Sequence, residues 1–302
     1  MTATIRPPRV EEQTAEQRPR ARIDRGPQIR ATVATTAQYV SLVVVAVIML
    51  LPLVVVLLTS LKTAKEVGAG GPLQLPGNWL NLSNYVTAFT DGAMLQAFKN
   101  TAIILVVAVA GAVLIGSMTA YAVDRFSFRL KKVVMALFLL ATLVPGVTTQ
   151  VATFQIVNFL QLFDTRWSAI LLYMGTDIVS IYIFLQFVRA IPTSLDESAR
   201  LDGANSFTIY WRIILPNLKP AIATVVIIKG ITVYNDFYIP FLYMPSENLG
   251  TLSTSLFRFK GPFGGQWQDI CAGAMLVILP TLILFLVLQR FIYNGFTQGA
   301  VK

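Results

Sequence analysis

Six stretches of this chain are apolar for about the 20 residues that a helix needs to cross a bilayer: 39–61, 101–123, 133–153, 169–188, 221–243 and 272–293. In lipid a segment must satisfy its own backbone N–H and C=O groups. The stretches therefore predict an all-α, polytopic membrane protein with six transmembrane helices. Composition agrees, since 55% of the residues are hydrophobic, 13% are charged, and mean hydropathy is +0.65. Pro52, Pro145, Pro240 and Pro280 fall inside the stretches. Each removes a backbone donor and is expected to bend its helix, which suits a bundle that moves.

Orientation follows from the basic residues, because short loops rich in them stay cytoplasmic. With both termini assigned to the cytoplasm, 17 of the 24 lysines and arginines fall on that side, six on the other, and Lys229 inside a span. The net charge of +9 is thus a topology signal, and no nucleic-acid partner is expected. Residues 1–37 are rich in Arg, Pro, Gln and Glu without apolar periodicity. They read as a disordered basic cytoplasmic tail able to touch anionic lipid, ahead of a membrane domain over 38–302. The apolar run after the tail exceeds a signal-peptide core and lacks a small-residue cleavage site, so it reads as the first span.

Chemistry is narrowed by what is missing. With no histidine, His-type metal sites, Ser-His-Asp triads and histidine proton relays are excluded. Cys271 is the one cysteine and forms no internal disulfide. No G-x-x-x-x-G-K-[ST] loop occurs, so ATP handled by that route belongs to another chain. No metal ligand and no catalytic residue is assigned.

Between the fourth and fifth stretches lies a polar segment, 194–215, that does not fit the membrane. Ser194-Leu195-Asp196-Glu197 has the spacing of a capping box, so a short helix should start there. Gly203 supplies the freedom to leave it, and Ser206 can cap a second helix running to about Leu215, before Pro216. Phe207, Tyr210, Trp211 and Ile214 recur at i, i+3, i+4 and i+7 and form one apolar face that must bury. That face fits either an elbow lying on the lipid interface or a knob gripped by a soluble partner.

Glu197, Ala199, Asp202, Gly203 and Ala204, with Leu215, Pro216 and Pro220 downstream, resemble the E-A-A-x-x-D-G-A signature of ABC importer permeases, Ser198 replacing one alanine. Asn235-Asp236-Phe237 resembles the W-N-[DE]-F element of the carbohydrate-type, maltose-transporter-like branch, with Tyr234 in place of the tryptophan. The tail Gly295-Phe296-Thr297-Gln298-Gly299-Ala300-Val301-Lys302 is similar to that branch's closing G-[LF]-T-x-G-A-V-K. The resemblance implies a type I importer permease for a sugar or oligosaccharide in a bacterial inner (plasma) membrane. It also implies a second permease subunit forming a heterodimer, two copies of a cytosolic ATP-binding subunit that hold ATP and Mg, and an extracytoplasmic solute-binding protein. In that family the signature forms coupling helices that dock on the ATPase. Coupling is therefore expected of Glu197, Ala199, Asp202, Gly203, Ala204, Phe207 and Trp211.

Ionisable residues inside a membrane are costly and default to a functional or paired role; here they are Asp177, Lys229 and Asp236. Lys229 and Asp236 are seven apart, which returns to within about 20° on a helix, so one face is expected to carry both. An interhelical pair of Lys229 with Asp177 is one reading, and the ion site of an ion-coupled secondary carrier using Asp177, Lys229 and Asp236 is another. A third places Asn235, Asp236 and Tyr238 beside the solute path with Gln150, Gln155 and Asn158, since hydroxyl-rich sugars need amide, carboxylate and aromatic partners. On the outer side, 244–270 is expected to be a long loop. Its Phe259, Gly261, Phe263, Gly264, Gly265 and Gln266 either meet a solute-binding protein or belong to an interfacial aromatic belt.

Overall fold

A computed structural model of the chain describes residues 26–175, 177–261 and 264–300, and side chains within 35–175, 177–261, 264–283 and at 286. Most of the expected basic tail, Phe263, Val301, Lys302 and the side chains of the closing motif lie outside those residues. The chain forms two compact units, residues 1–53 and 54–302. Helix α1 (Gly26–Ser60) begins in the first and continues unbroken through Pro52. Its described side chains up to Leu53 are exposed and almost wholly apolar.

The second unit is organised around α4 (Met94–Arg125), after the short helices α2 (Ala64–Ala69) and α3 (Ser83–Asp91). It continues with α5 (Lys131–Leu143), α6 (Gln150–Phe159), α7 (Arg166–Gly175) and α8 (Ile178–Ala190). Next come α9 (Thr193–Leu201), α10 (Ser206–Asn217), α11 (Lys219–Asn235), α12 (Tyr238–Tyr243), α13 (Leu252–Ser255) and α14 (Trp267–Ala300). Helix α4 packs on α7, α8 and α11. Its packing face is rich in small residues: Ala108, Ala112, Gly116 and Ala120 are buried there. Small side chains let helix backbones approach closely in a membrane. A methyl added at Gly116 would stand 3.2 Å from the Phe184 ring of α8, so that seam is already full.

Helix occupies all six expected stretches, but three of them are interrupted, the fourth between Gly175 of α7 and Ile178 of α8. The third breaks at 144–149, because Pro145 disfavours helical geometry in the residue before it and Val144 is extended (φ −81°, ψ 116°). The freed Pro145 carbonyl accepts from the backbone and hydroxyl of Thr148, at 3.0 and 2.7 Å. The fifth ends at Asn235 rather than 243, since Asp236 turns extended (φ −70°, ψ 121°) and its carboxylate accepts from the amide of Tyr238 at 2.7 Å. The expected bend at Pro240 therefore falls four residues early, and Pro240 sits inside α12. Lys229 and Asp236 consequently do not share one helical face.

Among the described residues α4 and the part of α1 from Thr35 are each long and apolar enough to cross a membrane. The bent pairs α7 with α8, at 43°, and α10 with α11, at 74°, raise the number to four if each is one span. Pro280 lies inside α14, which is continuous through it.

Candidate functional site

The α9–α10 hairpin owes its shape to Gly203. Its φ is +84°, a left-handed value that glycine adopts without steric cost. In that geometry the amide of Ala204 reaches back to the Ala199 carbonyl at 2.9 Å and that of Gly203 to Arg200 at 3.0 Å. This pair of bonds is the Schellman closure, which satisfies carbonyls that the helix end would otherwise orphan. Ala199 is buried and Ala204 packs against the same cluster, so only small side chains fit. The signature alanines and glycine thus serve the turn's geometry.

Both expected caps need correction. Helix α9 starts at Thr193 after Pro192, with no side-chain cap, so the Ser194–Glu197 box does not form; Glu197 is exposed. Helix α10 is capped by Asn205, whose carbonyl oxygen accepts from the Thr208 amide at 2.8 Å. Asn and Ser cap equally well, and Asn205 stands first in the chain.

The apolar face of α10 is split. Ile209, Tyr210 and Ile214 are buried with Tyr121 and Val123 of α4, Phe184 and Val188 of α8, and Ala221 and Val225 of α11. Tyr210 shares a 2.7 Å hydrogen bond with Ser117 of α4. Burial pushes the Tyr210 phenol above its ordinary value, so it stays neutral in that bond. Phe207 and Trp211, by contrast, are 63% and 41% exposed, with ring centroids 6.0 Å apart. The π turn over Tyr210–Ile214 re-registers the helix between these two directions. Leu201, at the end of α9, is 89% exposed. Sequence reading missed it, although it is the one large apolar side chain in the last turn of a polar helix. Leu201, Phe207 and Trp211 are an uncovered apolar tip on a hairpin whose other face is welded to three long helices.

The polar residues of the spans divide into two groups. Lys229 of α11 lies 3.6 Å from Asp177, which precedes α8, with both side chains 12% exposed. Ser180 donates to the same carboxylate. Asp236 is apart from this pair: Tyr173 of α7 donates to it at 2.9 Å and Ser253 donates to its carbonyl at 2.6 Å. The three ionisable groups therefore do not form one ion site. Tyr238 donates to Gln150, which joins α12 to α6, whereas Gln155, Asn158 and Asn235 are exposed. Beside them Phe237, Phe241 and Phe257 form a cluster with centroids 4.9 to 5.4 Å apart.

The segment 244–266 is tied down rather than loose. Asn100 near the start of α4 donates to the carbonyls of Asn248 and Gly250, both at 2.9 Å, and accepts from Arg166 at 2.9 Å. Phe259 is buried against Ala88 and Ala272, so it is core and not a contact for a partner. Lys260–Gly261 pairs with Gly264–Gly265 as a small hairpin; Gly261, Gly264 and Gln266 are exposed and Gly265 is half-buried. Asn100 ties down one end of α4, and Arg125 is the last residue at the other. At 1.5 Å per residue the segment 244–266 and the hairpin α9–α10 stand roughly 37 Å apart along that helix.

Comparison with known proteins assigns this architecture. The chain belongs to the family described as the binding-protein-dependent transport system inner membrane component, matched over residues 112–299. It is 33% identical over 264 residues to the probable starch degradation products transport system permease protein AmyC of Thermoanaerobacterium thermosulfurigenes, covering 86% of this chain and 94% of that protein. It is 29% identical over 260 residues to the arabinooligosaccharides transport system permease protein AraQ of Halalkalibacterium halodurans, covering 85% and 93%. Its fold matches a chain of a bacterial ABC transporter involved in the import of the acidic polysaccharide alginate, with TM-score 0.73, 21% identity, and 86% and 96% coverage. The protein is a membrane permease subunit of an ABC importer, and ATP is hydrolysed on separate subunits. An ion-coupled secondary carrier is set aside.

Proposed function

We propose that this permease carries a sugar or oligosaccharide. It would pair with a second, different permease subunit and two copies of a cytosolic ATPase that hold ATP and Mg. Its α9–α10 hairpin is the docking knob on the cytoplasmic side, the side of both termini. The observation that carries this reading is the exposed Leu201–Phe207–Trp211 tip on a hairpin whose buried face joins the core of α4, α8 and α11. A motor closing on that tip moves all three helices, because packed cores shift as rigid bodies rather than deform. Such closure favours an outward-facing state that accepts cargo, and hydrolysis resets it.

The sugar assignment draws support from the cargo in the names of its relatives AmyC and AraQ. The exposed Asn235, the Tyr238–Gln150 pair and the neighbouring phenylalanines supply the amide and ring surfaces that carbohydrates use. The same reading assigns Asp236, and more weakly Gln150, Gln155 and Asn158, to that path. On the outer side, Gly261, Gly264, Gly265 and Gln266 would meet the solute-binding protein, the glycines letting its surface approach closely.

Retention of the ATPase through detergent purification tests the knob. Interface anchors of this kind cost about 2 kcal/mol or more on truncation, roughly 30-fold in affinity each. The double variant Phe207→Ala, Trp211→Ala is expected to lose the ATPase while its own thermal stability stays unchanged. A variant that keeps the ATPase and full transport refutes the assignment.

A further inference from the structure

Arg125, the last residue of α4, reaches three elements with one guanidinium that is 6% exposed. Its Nη1 donates to Asp124 at 2.8 Å, and its Nη2 donates to the carbonyls of Ile191 at 2.7 Å and Val188 at 3.3 Å, at the end of α8. A cation there complements the negative end of that helix. Its Nε lies 3.0 Å from Oδ2 of Asp196 in the first turn of α9. Arg189, mostly exposed, faces the other Asp124 oxygen at 3.5 Å, so two cations meet two carboxylates.

The two attachments differ in kind. Arg125 is hydrogen-bonded to α8, but Nε and both Asp196 oxygens are buried without a hydrogen-bond partner. At this point the first turn of α9 is held by a close buried ion pair rather than by an aligned hydrogen bond, while Ala199 further along α9 packs in the apolar core. A hydrogen bond weakens steeply as its angle departs from linear, so it resists tilting. A charge pair is set chiefly by separation and tolerates a wider range of angle, so it holds the first turn close while allowing it to tilt.

We infer that Arg125 is a positioning residue, a swivel that keeps the first turn of α9 against the ends of α4 and α8 while the hairpin tilts. The inference rests on the reading of α9–α10 as the part gripped by the ATPase. Tilt imposed at the tip then pulls both helices through one side chain, in addition to the apolar weld at Tyr210.

The readout is solute carried per ATP hydrolysed, in proteoliposomes holding the full complex with its binding protein. Asp196→Asn, uncharged and of the same size, is expected to keep the ATPase and hydrolyse ATP while the ratio falls roughly tenfold, a typical inter-site coupling. Asp196→Glu restores the charge and recovers most of the ratio. A purely structural role lowers hydrolysis and transport together, and an unchanged ratio overturns the inference. Loss of the ATPase from Asp196→Asn overturns it as well, because the pair would then only shape the docking surface. Should Asp196→Asn fail to accumulate in the membrane, Arg125→Lys keeps the charge but loses the fork to the α8 carbonyls, and its ratio must also fall. The docking reading fails separately, on retention of the ATPase by Phe207→Ala, Trp211→Ala.

Discussion

Gly203 shows how far a single residue can be read from sequence. Its role lies in the backbone, and a glycine after a short polar helix announces a left-handed turn before any contact is known. The space around its α-carbon is open, so a side chain there meets no neighbour and feels only the φ of +84°. Gly203→Ala is thus expected to destabilise the complex by about 1 kcal/mol, and Gly203→Asn by less, because asparagine tolerates that region. Thermal melting in detergent orders the three proteins, and an alanine variant as stable as the parent would show that the turn is made differently. Phe259 illustrates the opposite case. Nothing in a run of aromatics and glycines distinguishes the ring that packs on Ala88 and Ala272 from those that stay outside. Arg125 was legible only as a topology charge, since its partner Asp196 lies 71 residues along the chain and meets it only once α4 and α9 are packed.

Elements were legible where apolar length alone decides, and less so where a polar group intervenes. The break after Leu143 follows from Pro145, yet proline also sits inside the continuous α14, so the residue type does not settle the outcome. The end of α11 is set by the Asp236 side chain capping the next helix, a local hydrogen bond that hydropathy does not register. Helix α2 carries a fully formed capping box, in which Glu66 accepts from the Thr63 amide at 2.7 Å and from the Gly77 amide at 2.9 Å. The Thr63 and then the Gly77 amide hold the Glu66 carboxyl below its ordinary value of 4.5. A lowered folded-state value means that the stabilisation is present above the ordinary value and disappears as pH falls through the folded one. Glu66→Gln is therefore expected to loosen 70–80 at neutral pH only. Chymotrypsin at pH 7 should cleave the variant faster at the exposed Leu73, Trp79 or Leu80, whereas pepsin in strong acid should cleave both proteins alike. Equal cleavage at pH 7 would dissociate the box from the order of this segment.

At the scale of the whole molecule, α4 joins two ends with different tasks, and what lies between them must shift without exposing charge to lipid. The Lys229–Asp177 pair ties α11 to the junction of α7 and α8, the place where the fourth expected stretch bends by 43°. Its position suits a tie between moving helices, and its separation from Asp236 leaves no shared site for a coupled ion. Breaking a buried pair by removing one partner costs about 3–5 kcal/mol, because it strands a charge, whereas removing both is often nearly neutral. Lys229→Met alone leaves Asp177 facing, among the described residues, the Ser180 hydroxyl, so the amount of monodisperse complex extracted in detergent should fall sharply. The double variant Lys229→Met, Asp177→Asn should restore most of it. Uptake by the double variant should continue, require ATP, and be indifferent to collapse of the proton gradient. A pair that carried a translocated ion would behave otherwise: the double variant would assemble normally and transport nothing, and the wild type would stall when the gradient is removed. Yield and uptake measured on the same preparations separate a structural tie, in which the second substitution rescues both, from an ion relay, in which it rescues yield alone.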